Sequence, residues 1–418
     1  MDSYVANLWC SSLKSNLFRN NPSSGDSQNI RICPVLCPDF IPYIYSNPFI
    51  IYIISHYICG MMLQQFFSFI IWDVSPAIFE IAGREVRWYG LLFALGFLIG
   101  QQILIRIYKA EGRSEKDVET LTIYMVIATI VGARLGHVLF YQPDHFLQHP
   151  IEILKIWEGG LASHGATIGI LIAIYLYSKK ATDQSYFYVL DRLVITIALA
   201  GCFIRLGNLM NSEIIGLPTN IPTAFVFSEE TRQGIASIYS DFVTDVEIRK
   251  NNTNPSIDDF HYQGLDIIVN FKPQESFNPE TLVKDMRTNI QGSSYFSENV
   301  LIPPSASYRI EGNTAVIEAW GIPRHPAQLY EALSSFLIFL LLLAIYLKQG
   351  RNLPEGRLFS LFVILIFGLR FIYEFFKEAQ VDFEKSLSLN MGQILSIPLI
   401  IAGLFIFIRS FKKKNEII

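Results

Sequence analysis

Apolar residues run nearly unbroken at 89–108, 121–141, 161–177, 189–204, 329–347, 358–376 and 391–408. Each run approaches the roughly 20 residues that a helix needs to cross a hydrocarbon layer. The pattern predicts about seven transmembrane helices. Polar residues interrupt several of them: Arg134 and His137 lie in the second, Asp191 and Arg192 open the fourth, and Pro398 falls in the last. Between the fourth and fifth runs the pattern changes. Residues 217–322 are rich in Asn, Asp, Ser and Pro and hold no run of spanning length, while DIIVNFK and NTAVIEAWGI alternate as short strands do. The predicted fold class is an all-α polytopic membrane protein carrying a small extracytoplasmic α+β cap. Its expected divisions are an N-terminal extension at 1–61, helices one to four at 62–216, the cap at 217–322, and helices five to seven with a basic tail at 323–418.

Composition supports the membrane reading. Hydrophobic residues make up 51% of the 418 and charged residues 17%, against about 25% charged in an ordinary soluble domain. A net charge of −4 supplies no overall basic field, so nucleic acid is not an expected partner. The basic residues that do occur sit at alternate ends of the runs: Lys109, Arg113 and Lys116, then Lys179 and Lys180, then Lys348, Arg351 and Arg357, then Arg409 and Lys412 to Lys414. Positive charge collects in cytoplasmic loops. The first helix is therefore expected to start outside, the cap to lie outside and the C-terminus to lie in the cytoplasm.

The first 60 residues differ from the rest. They hold four of the five cysteines, Cys10, Cys33, Cys37 and Cys59, and composition shifts at Met61 and Met62. An extra membrane anchor and an over-extended start are both open readings of residues 1–61. Cys33 and Cys37 lack the second pair that a metal or disulfide motif would need, and Cys202 reads as a small buried apolar residue. The seven histidines show no HExxH or paired-ligand spacing. No metal and no cofactor are expected.

With this orientation, the polar residues of the spans fall on one side. Tyr89, Arg134, His137, Tyr141, His164, Arg205, Glu331, Arg370 and Glu374 all lie at outer ends. They are expected to line one cavity opening outward. Interfacial anchoring would explain Trp88 or Tyr141 equally well. It explains Arg134, Arg205 and Arg370 less well, because each is set beside glycine, where helices approach closely, and ionisable groups inside spans mark functional sites. Arg370 and Glu374 are four residues apart and share a helix face. They form either a structural ion pair or a device that aims the guanidinium. Several arginines at one leaflet suit a phospholipid phosphate, whose oxygens match the guanidinium fork. His164 could then move a proton, or could serve only as a hydrogen-bonded structural residue.

Seven blocks, in order, carry a family resemblance: VRWYGL at 86–91, GARLGHVLFY at 132–141, EGGLASHG at 158–165, RLGNLMNSEIIG at 205–216, RHPAQLYE at 324–331, GLRFIYEFF at 368–376 and LNMGQILSIP at 389–398. The sequence resembles the prolipoprotein diacylglyceryl transferases from about residue 62 to its end, most of the cap excepted. The resemblance implies an inner-membrane transferase acting early in bacterial lipoprotein maturation. Its substrates would be phosphatidylglycerol and a prolipoprotein signal peptide with a lipobox cysteine, and its products a thioether and glycerol 1-phosphate. It implies catalytic roles for His164, Arg205 and Arg370. Phosphatidylglycerol binding falls on Tyr89, Arg134, Arg205, Asn208, Glu213, Gly216, Arg370 and Glu374. Ala166 stands where the family's histidine block has a second glycine, and His137 where an aromatic is usual.

Two other classes are open on residues alone. An intramembrane serine protease would need an activated nucleophile, and no G-x-S-x-G elbow occurs. A lipid or anion transporter would place its site near the midplane between repeats, whereas the expected cavity is one-sided and no internal repeat is evident.

Overall fold

The computed structural model describes residues 69–81, 83–156, 159–160, 162–181, 183–253, 255–273, 278–292, 298–378 and 389–415. The readings made for residues 1–61 lie outside the described residues.

All seven apolar runs are helical. In chain order, β1 (Ile70–Trp72), β2 (Ala77–Ile81) and β3 (Arg84–Arg87) lead into α1 (Trp88–Ala110) and α2 (Glu115–Phe140). A short α3 (Pro143–Gln148) and a 3-10 turn at Pro150–Leu154 precede α4 (Ser163–Lys180) and α5 (Tyr186–Met210). Ser114 and Ser185 cap α2 and α5 by accepting the backbone N–H groups of Lys116 and Tyr188. Glu115 and Asp117 add favourable charge to the first turn of α2. After the intervening body come α8 (Ala327–Gln349), α9 (Arg357–Tyr373) with a 3-10 turn at Glu374–Phe376, and α10 (Met391–Asn415), which continues through Pro398. Six of these helices, α1, α2, α5, α8, α9 and α10, are long and apolar enough to cross a membrane. The 18-residue α4 is not among them, because His164, Lys179 and Lys180 fall inside its only window of that length.

α5 is the central helix and packs against α1, α8 and α9. Tyr108, Leu121, Ile174, Val189, Ile195, Leu342 and Leu358 close the shared core. Two buried ionic devices hold the bundle at the end away from Arg205. Asp191 of α5 accepts the backbone N–H groups of Gly356 and Phe359 at 2.7 and 2.8 Å, so a carboxylate from another helix caps α9. Beside it, Arg192 pairs with Glu111 at 2.9 Å. α2 and α4 meet along a glycine seam. A Cβ at Gly136 would lie 2.7 Å from the Cα of Gly165, and one at Gly169 would lie 2.6 Å from the carbonyl of Ala128. Only glycine permits that approach.

The body between α5 and α8 contains β4 (Phe225–Phe227), α6 (Glu229–Ile238), β5 (Val243–Lys250), β6 (Ser256–Ile257), β7 (Phe260–His261), β8 (Gln263–Phe271), α7 (Pro279–Gly292), β9 (Val300–Leu301), β10 (Tyr308–Glu311) and β11 (Thr314–Gly321). The order β10-β11-β8-β5 forms an antiparallel sheet in which Ile317 opposes Ile267 and Val246 opposes Val269. Alternate residues of β8 and β11 are buried, as period-two patterning requires of a sheet with one covered face. α6 and α7 supply Ile235, Val283, Met286 and Ile290 to a core separate from that of the bundle. β1 pairs parallel with β4, and short backbone ladders join the body to the bundle. Gly216 N–H donates to the His325 carbonyl at 3.0 Å, Leu217 N–H to Phe376 at 2.8 Å, and Arg324 and Phe225 exchange both bonds. These crossings bring the ends of α5, α8 and α9 together.

Candidate active site

The last turns of α5 and the tight turn after it build one wall. Ser212 and Ile214 take φ values of 55° and 58°, a conformation that non-glycine residues adopt at a cost. The turn folds Glu213 back so that its carboxylate accepts Asn208 Nδ2 at 3.1 Å and Asn211 Nδ2 at 3.0 Å. Gln328 of α8 donates to the Glu213 carbonyl at 2.5 Å. Tyr89, at the start of α1, packs against Gly207 and lies in the electrostatic field of Glu213 and Arg205. Gly216 is confined on all sides. A Cβ there would stand 2.5 Å from the His325 carbonyl, 2.6 Å from the His325 Cβ and 2.9 Å from the Phe376 carbonyl.

The second wall is a chain of ion pairs running through three helices. Arg205 Nε meets Glu331 at 2.6 Å. The other oxygen of Glu331 pairs with Lys377 Nζ, which also lies 3.5 Å from Glu374. Glu374 in turn faces Arg370 Nε at 3.6 Å and accepts Asn390 Nδ2 at 3.1 Å. Gly392 makes room for that carboxylate, since a Cβ would sit 2.5 Å from the Glu374 Cδ. Glu331 and Lys377 are almost fully buried, whereas the Arg370 side chain is 44% exposed and that of Arg205 26%. Three cations share two carboxylates, leaving one positive charge, and the accessible positive groups are the two guanidiniums. In a low dielectric such a surplus favours an anionic ligand.

Arg205, Arg370 and Glu374 therefore belong to one network. Tyr89, Asn208, Glu213 and Gly216 adjoin it through the α5 turn. Arg134 does not. It is buried, and its guanidinium donates to the carbonyls of Glu152, Ile153, Gly159 and Gly160 at 2.6 to 3.3 Å while stacking over Phe146. That geometry anchors the loop before α4 and takes up four of the five guanidinium N–H groups. His164, at the start of α4, touches the rings of Phe140 and Tyr141 at 5.0 and 5.8 Å. Among the described residues, no hydrogen bond or ion pair joins it to the arginine network.

Sequence reasoning missed Lys377, Arg324 and His325. Lys377 sits three residues past Glu374 and reads in the sequence as an interfacial base. Only the return of the chain onto Gly216 buries it between two carboxylates. Arg324 donates to the Gly216 carbonyl at 3.1 Å and pairs with Glu378 at 3.0 Å, tying the body to the site floor. His325 lies against Gly216 and the Phe376 ring, with Nδ1 3.3 Å from the Tyr330 hydroxyl. Burial pushes its imidazole pKa below the usual histidine range. An apolar groove of about 570 Å³ runs separately along the α2–α4 seam, floored by Gly132, Gly136, Gly165 and Gly169.

The family model for prolipoprotein diacylglyceryl transferase matches residues 76–409, a stretch that includes both walls. The chain is 36% identical over 343 residues to the phosphatidylglycerol–prolipoprotein diacylglyceryl transferase of Tolumonas auensis, covering 82% of this chain and 98% of that protein. The same-named proteins of Chloroherpeton thalassium and Porphyromonas gingivalis are 34% and 36% identical, covering 83% and 82% of this chain and 96% of each relative. Every block that carried the resemblance lies inside the matched span. With most of its length aligned and the arginines of separate helices held in one network, the chain belongs to the prolipoprotein diacylglyceryl transferase family.

Proposed function

We infer that this protein transfers the diacylglyceryl group of phosphatidylglycerol to the lipobox cysteine of a prolipoprotein. In this reaction the cysteine sulfur attacks the glycerol carbon that bears the phosphate ester. A carbon–sulfur bond forms, the carbon–oxygen bond to phosphate breaks, glycerol 1-phosphate departs, and the thiol proton passes to a base. Negative charge accumulates on the departing phosphate. Arg205 and Arg370 face that charge, and because Glu331, Lys377 and Glu374 hold them in place, little reorganisation is needed as it develops. The same positive field favours the thiolate at the incoming cysteine. Asn208 Oδ1 and Gln328 Oε1 are buried without a hydrogen-bond partner among the described residues, so they are suited to accept from the glycerol hydroxyls. Tyr89 and Glu213 complete the headgroup floor, and Gly216 lets His325 and Phe376 close in beneath it.

His164 is the proposed proton acceptor, its ring held by the edge-on Phe140 and the tilted Tyr141. A second reading favours His325, on the observation that it abuts Gly216, where burial lowers its imidazole pKa. A neutral imidazole is the form that accepts a proton.

The topology that serves this chemistry has α4 as the seventh crossing and the sheet body as an extracytoplasmic cap over 217–322. The start of α1 faces the periplasm of a bacterial inner membrane and the C-terminus faces the cytoplasm. The basic clusters after α1, α4, α8 and α10 support that orientation.

The observation that carries the reading is the ion-pair chain linking Arg205 to Arg370. The test is incubation of the protein in phosphatidylglycerol vesicles with a lipobox peptide. One added diacylglyceryl unit on the cysteine, seen by mass spectrometry, is expected. An unmodified peptide alongside flipping of labelled lipid would replace the transferase with a transporter.

A further inference from the structure

The loop before α4 has an outward surface that the transfer reaction does not use. α2 opens with the polar turn Glu115 to Glu119, and about 20 residues at 1.5 Å each then bring its axis across roughly 30 Å by Leu139. Phe140 therefore stands at the edge of the hydrocarbon. The chain beyond it does not stay in water. It returns along α2 until Ala162 N–H donates to the Ala133 carbonyl at 2.9 Å, roughly 10 Å back from the end of the helix.

Irregular backbone at that depth needs internal hydrogen-bond partners. The buried Arg134 provides them, donating to the four carbonyls of Glu152, Ile153, Gly159 and Gly160. Within the segment His149, Glu152 and Lys155 N–H groups bond to His145, His149 and Glu152 carbonyls. Glu152 meets His145 at 2.9 Å and Lys155 at 3.2 Å, while Asp144, Gln148 and His149 stay exposed. Phe146 packs inward on Arg134. Beside the polar residues lies an apolar cluster: Leu147, Ile151 and Leu154 are 80%, 78% and 73% exposed. An exposed apolar cluster edged by polar residues is the pattern of a segment lying at the headgroup–acyl boundary. Leu135, Leu139 and Phe140 of α2 are likewise exposed and apolar, so the surface continues the bilayer-facing side of a spanning helix.

We propose that residues 143–156 are inserted in the lipid leaflet on the Arg205 side, with acyl chains as their partner. The insertion fixes the depth at which α4 begins and therefore the level of His164.

The first test uses the unmodified protein in phosphatidylethanolamine–phosphatidylglycerol vesicles containing a lipid with a photoreactive group on its acyl chain. After irradiation, peptide mapping is expected to show a ratio of about one between adducts on 143–156 and those on 135–140, with none on β5. The second test places single cysteines, Leu147→Cys, Ile151→Cys and Leu154→Cys, in a variant whose native cysteines are replaced by serine, and spin-labels them. Collisions with oxygen should exceed those with a water-soluble nickel chelate, as at Leu139→Cys, and the order should reverse at Arg249→Cys. Nickel access dominating at the three loop positions, or no adducts on 143–156 while 135–140 is labelled, would overturn the proposal and leave a water-facing surface suited to a peptide.

Discussion

Lys377→Met tests whether the ion-pair chain acts as a unit. The ammonium is 6% exposed and lies between Glu331 and Glu374, which are 7% and 13% exposed. Its removal leaves two carboxylates facing each other across the gap, each still attached to one arginine, and the charge surplus falls from one to zero. Removing one partner of a buried pair costs about 3–5 kcal/mol. If that whole cost reaches the transition state, at about 1.4 kcal/mol per tenfold, kcat/KM falls roughly 10²- to 4 × 10³-fold. Lys377→Arg keeps the charge, its fork can reach both carboxylates, and most activity should return. The assay is initial-rate transfer to a lipobox peptide in phosphatidylglycerol vesicles, with folding checked by thermal unfolding. A positioning role predicts that kcat falls more than KM. Full activity in Lys377→Met, or a loss in Lys377→Arg equal to that in the methionine variant, would refute the reasoning.

Other substitutions separate the remaining parts. Gly216→Ala forces a methyl against two backbone carbonyls and the His325 Cβ; overpacking of this kind costs about 1–3 kcal/mol, and the variant should fold yet lose activity, read as kcat/KM beside the unfolding midpoint. Arg134→Met should lower the unfolding midpoint and expose 152–160 to hydrogen exchange, while leaving the KM for phosphatidylglycerol in the surviving protein near the parent value. The two histidines are distinguished by His164→Gln and His325→Gln. Burial holds the folded pKa of His325 below its unfolded value, so the neutral, proton-accepting form dominates above that lowered pKa. If His325 is the base, kcat/KM should rise with pH through an inflection below the usual histidine range, and only His325→Gln should abolish it.

Long-range architecture was legible because hydropathy length and period are local properties of the chain. All seven apolar runs became helices, and the alternating DIIVNFK and NTAVIEAWGI became the adjacent strands β8 and β11. The placement of Arg205, Glu331, Arg370 and Glu374 at matching helix ends anticipated one cluster. Lys377 and His325 could not be found that way, because their burial comes from backbone crossings between Gly216, His325 and Phe376, contacts separated by more than 100 residues. Arg134 is ambiguous in the sequence for the converse reason. A buried arginine beside glycine is common to ligand sites and to loop anchors, and only the carbonyls of 152–160 distinguish the two.

The account rests on Arg205 and Arg370 gripping the same phosphate. A double-mutant cycle of Arg205→Lys, Arg370→Lys and the combined variant, read as kcat/KM for peptide diacylglyceryl transfer, addresses that directly. Groups acting on one ligand are strongly non-additive. The combined variant is predicted to be hardly worse than the weaker single variant. Losses that multiply across the cycle would mean that the two arginines serve separate ligands, and would contradict the shared site.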